Sequence, residues 1–160
     1  YITNNKMKKY LIIASLFVIN ISFSQNQKNE EKLNEIQQKT FVDLVNILCE
    51  DIGKKHTYIN KLKVFKMIDE EESSVTTYKY LSQDYNFFIS ILNEYNGLRF
   101  NSPNSFLYDV IVSKGTFKEV HKEGGTSFLV YELLGNSFLI NFNTDNKGRK
   151  HYLIDTYCMQ

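Results

Sequence analysis

The chain has 160 residues, 42% of them apolar, and 19 Lys and Arg against 18 Asp and Glu give a net charge of +1. That length supports one domain with a real core. The near-neutral balance, without a dense Lys or Arg cluster, excludes the phosphate-neutralising surface of a nucleic-acid binder.

Residues 7–24, MKKYLIIASLFVINISFS, read as an export signal. The apolar run over 10–21 is roughly 12 residues, the size of a secretory core and too short to span a bilayer. Lys8 and Lys9 supply its positive flank, and Ser22 and Ser24 set small residues for cleavage after Ser24. No Cys follows, so a lipid anchor is not expected. Residues 1–6 precede Met7 and are read as upstream translation. Loss of 1–24 removes three lysines and no acids and takes the net charge from +1 to −2. The expected product is exported, periplasmic or secreted without a stable membrane anchor, and folds over 25–160 as a single domain. The small, aromatic, small, Gln ending resembles export signals of Bacteroidetes.

Over 28–52, Leu33, Ile36, Phe41, Leu44, Val45, Leu48 and Ile52 recur at helical steps, and Gly53 is expected to stop that helix. Ile59, Leu62, Phe65 and Ile68 step by three, which favours a second helix, although Leu62 and Val64 also alternate with lysines. Asp69 to Glu72 lack the ligand spacing of a calcium loop and read as a solvated connection. VTTYKYL is open between helix and strand. A third helix is expected over 84–95, with Phe87, Phe88, Ile91, Leu92 and Tyr95 on one side before Gly97.

From Phe106 onward, FLYDVIVS, TFKEVH, SFLVYELL, SFLINFN and KHYLIDTY read as strands. SKG, EGG, GNS and TDNKG separate them as short, turn-forming links. Two or three N-terminal helices followed by a meander predict an α+β domain: helices packed on a curved antiparallel sheet of four to five strands. This order, together with the closing hairpin SFLINFNTDNKGRKHYLI, resembles exported NTF2-like domains. A cystatin-like domain is the alternative. The NTF2-like resemblance implies a pocket, and a function from ligand binding and dimerisation to isomerase or dehydratase chemistry.

Cys49 lies beside the stripe through Val45 and Ile52, and Cys158 continues the strand face of Tyr152 and Ile154, so the two form a candidate disulfide, with buried thiols as the alternative. Asp109, His121, His151 and Asp155 are the candidates for proton transfer. His151 and Asp155 share a strand face about 13 Å apart, too far for a dyad, whereas Glu119 and His121 are near neighbours. The spacing matches no zinc site, nucleophile elbow or phosphate loop, so neither a metal nor a cofactor is expected. The tyrosines are expected to serve structure more than recognition. These readings favour an exported non-catalytic domain that binds a small molecule or protein partner. An NTF2-like enzyme using a pocket carboxylate or histidine, and a dimerisation module, are the alternatives.

Overall fold

The computed structural model describes the backbone of residues 3–71 and 74–158 and the side chains of 25–68 and 74–158. The side chains of the expected export signal and of the 69–72 acidic run lie outside those residues. Two compact units are distinguished, Tyr1–Ile36 and Gln37–Gln160. The first is part of α1 (Thr3–Asn46), and the second holds the last turns of α1 and everything that follows.

The described residues form an α+β arrangement. After α1 come α2 (Ile52–Lys61), β1 (Phe65–Glu71), β2 (Val75–Tyr80), β3 (Phe88–Leu92) and β4 (Gly97–Ser102). A second set follows, with α3 (Phe106–Lys114), β5 (Thr116–Glu123), β6 (Thr126–Leu133), β7 (Asn136–Thr144) and β8 (Lys150–Tyr157). All eight strands join one antiparallel sheet in the order β1-β2-β3-β4-β8-β7-β6-β5. Two four-strand meanders, each led by a helix, thus meet at β4 and β8, where Phe100 lies opposite Ile154.

Eight strands replace the expected four or five, and four local expectations are corrected. The expected second helix does not extend through Phe65 and Ile68: Lys63, at φ 57°, ends the helical path after Leu62, and 65–71 are strand. The open VTTYKYL segment is strand over 75–80, where Thr76, Tyr78 and Tyr80 alternate into the core. The expected helix over 84–95 is β3 and a single 3-10 turn. Ile89, Ser90, Ile91 and Leu92 are all buried in β3, an inner strand between β2 and β4, and such a short apolar run carries no distinguishing period. FLYDVIVS is α3 rather than a strand, since Leu107 and Ile111 lie one turn apart and are both fully buried. Gly53, expected to stop a helix, lies in the first turn of α2, where its N–H donates to the Asp51 side chain at 2.7 Å.

The helices meet one sheet face. Phe41 of α1 places its ring 5.3 Å from Phe100 and 5.4 Å from Phe138. His56 of α2 meets Tyr78, and Tyr108 of α3 meets Phe142 and Tyr152. Each edge strand carries a bulge, β1 with Lys66 and β5 with Lys118 and Lys122, devices that discourage pairing with another sheet edge.

Cys49, in the turn after α1, is joined to Cys158 just beyond β8, with Cα atoms 5.0 Å apart. Beside them, the fully buried Lys55 donates from Nζ to the Glu50 carbonyl at 2.9 Å and to Asn96 Oδ1. Its pKa is pushed down by burial, with Asp51 and Glu50 pulling the other way. The turn after α1, the β3–β4 connection and the end of β8 are therefore tied together at one place.

Candidate functional site

A cleft of about 360 Å³ opens between the end of α1, α3 and the β6–β7 turn. Its wall is apolar: Phe41 and Val42 from α1, Leu107 and Val110 from α3, and Leu133 and Leu134 from the hairpin. Among the described residues, Gln38 and Lys114 are the only polar ones that line it. Helical spacing explains the two helix walls, since 38, 41 and 42 lie on one face and 107, 110 and 114 on another. Gln37 anchors the α1 wall: it is buried, donates to Asn104 Oδ1 at 3.2 Å and accepts from Ser102 Oγ at 3.3 Å. Tyr58 donates to Asp43 at 2.6 Å and braces the same turn of α1, and its pKa is raised well above the ordinary value by burial and then by that carboxylate. α3 stops where Gly115 donates to the Ile111 carbonyl at 2.7 Å. A Cβ at Gly115 would lie 2.6 Å from that oxygen and 3.0 Å from the Glu132 carbonyl, so only glycine lets β6 approach so closely.

Leu134 is the unusual residue. It forms the β6–β7 turn with Gly135 at φ 54° and 76°, positions that normally take Asn, Asp or Gly. It is also 77% exposed, at the edge of an apolar cleft. A large side chain held in the left-handed region carries strain that its own slight burial does little to offset.

The sequence-derived candidates fall elsewhere. Asp109 is exposed in the first turn of α3, not on a strand, and accepts from Ser105 Oγ at 2.7 Å. His121 is exposed on edge strand β5, 3.8 Å from Glu123. Asp155 faces away from the helices and takes Arg99 Nε and Nη2 at 2.7 Å each, so both its oxygens are engaged. That contact raises the Arg99 pKa further. His151 is buried on β8, with Nδ1 3.1 Å from Asn101 and Nε2 3.6 Å from Asp145. None of the four lines the cleft.

Sequence reasoning missed Gln38, Lys114 and Leu134. Leu134 had a legible signal, a Leu-Gly pair where a hairpin turn usually has Asn-Gly or Asp-Gly. Among the described residues no group of three or more His, Cys, Asp or Glu could hold a metal ion, and no helix is long and apolar enough to cross a membrane. No family model, curated protein or solved structure matches the chain.

Proposed function

We propose that this protein is an exported, non-catalytic domain that holds a small apolar molecule in the cleft between α1, α3 and the β6–β7 turn. The observation that carries this reading is the exposed Leu134, strained in its turn at the edge of a largely apolar cavity. The cavity falls within the roughly 300–1,000 Å³ range of small-molecule sites and has their usual make-up, apolar walls with a few polar groups. The NTF2-like resemblance contributes the expectation of a pocket and a curved sheet. That resemblance rests on a single meander, and the two-meander order gives it no added support.

A polarity-sensitive dye such as anilinonaphthalene sulfonate tests the proposal. One dye per chain should bind, and Val110→Trp, which fills the cleft, should abolish binding while the far-ultraviolet circular dichroism stays unchanged. Dye binding that survives Val110→Trp in a folded protein refutes the cleft as the site. The proton-transfer alternative has less support, because Asp109, His121, His151 and Asp155 all lie off the cleft. Dimerisation through the sheet is the remaining proposal, and a monomer by light scattering at high concentration removes it. Export is tested by the N-terminal sequence of protein recovered outside the cytoplasm, which should begin at Gln25.

A further inference from the structure

We infer that the occupant is an anionic single-chain amphiphile, a fatty carboxylate with its chain among Phe41, Val42, Leu107, Val110 and Leu133 and its headgroup at Lys114. The inference rests on the reading of the cleft as a ligand site and adds the ligand's chemistry. Among the described residues of the lining, Lys114 is the one that carries a charge. Among the described residues it has no ion-pair partner: Glu132 is taken by Lys118 at 2.5 Å, and Asp109 accepts from Ser105. Gln38, the other polar residue of the lining, has no side-chain partner among the described residues either. The ammonium group is donor-only and an amide can donate twice, so both suit a carboxylate, which only accepts. An alkylammonium would meet the cation with repulsion, and an alcohol would leave it unneutralised.

An alkyl chain is flexible and can follow the apolar lining of a cleft of about 360 Å³.

The test uses the purified protein and three probes of equal chain length, dodecanoate, dodecanol and dodecylammonium, each titrated calorimetrically below its aggregation limit. Dodecanoate should bind at least tenfold more tightly than the other two. Lys114→Met should lower dodecanoate affinity about tenfold and leave dodecanol unchanged, since a single charge-assisted contact is worth about that factor. Dodecanol binding as tightly as dodecanoate overturns the headgroup assignment while leaving the cleft as an apolar site. No binding by any probe or by the dye overturns both readings. The comparison of the three probes on the parent protein stands even if the variant fails to fold.

Discussion

Replacing Leu134 by Asn separates what the β6–β7 turn needs for folding from what the cleft needs for binding. An L residue in the left-handed region is strained by roughly 1–2 kcal/mol, and Asn relieves much of that. Against this stands the lost burial of Leu134, which is small because the residue is 77% exposed. Full burial of a leucine contributes about 2 kcal/mol, so the quarter that is covered contributes about 0.5 kcal/mol. Leu134→Asn should therefore stabilise the protein by about 0.5–1.5 kcal/mol, or raise Tm by roughly 2–5 °C for a chain of this size. The chain has no Trp, so unfolding is best followed by far-ultraviolet circular dichroism in urea. The same variant should weaken dye and dodecanoate binding several-fold, a gain in stability at the expense of function. A variant less stable than the parent, or a stabilised one that binds unchanged, refutes the reasoning.

Other outcomes follow from the packing. The Cys49–Cys158 bridge closes a separation of 109 residues, so Cys49→Ala with Cys158→Ala should lose up to about 5 kcal/mol on the chain-entropy account. Urea denaturation measures it, and a loss below about 1 kcal/mol would count against that account. Phe100→Ala removes a fully buried ring against Phe41 at the centre of the sheet and should cost about 3–5 kcal/mol by the same measurement. Lys55→Met leaves the Glu50 carbonyl and Asn96 Oδ1 without their donor, for a loss of about 1–3 kcal/mol in urea; equal or greater stability would show the buried cation to be a net cost.

Asp145 gives a pH test. Hydrogen bonds from the Arg149 backbone, then its side chain, and from the Lys147 amide lower its pKa from 3.8 to about 2. A depressed carboxylate pKa stabilises the folded turn above the ordinary value, and that contribution is lost as pH falls from about 4 through about 2. The Lys147 and Arg149 amide resonances should titrate near pH 2, and a midpoint near 3.8 would show the turn to be open.

The sequence by itself determined the elements whose signal is local. Alternation bounded by turn residues located β5 to β8, because a half-buried strand writes period two into its side chains and its turns require residues that tolerate positive φ. The periodicity over 28–52 located the later part of α1 but ran past its end at Asn46 into the start of α2 at Ile52. Tertiary structure decided β1, β3 and α3, where short apolar segments satisfy helix and strand spacing equally and only the partner they pack against chooses between them. Phe88–Leu92 is a strand because β2 and β4 flank it, and Phe106–Lys114 is a helix because Leu107 and Ile111 can both be buried one turn apart. The candidate site also belongs to the tertiary level. Gln38, Lys114 and Leu134 are ordinary residues in sequence, far apart along the chain. They become a cleft with a polar mouth only when α1, α3 and the β6–β7 turn come together.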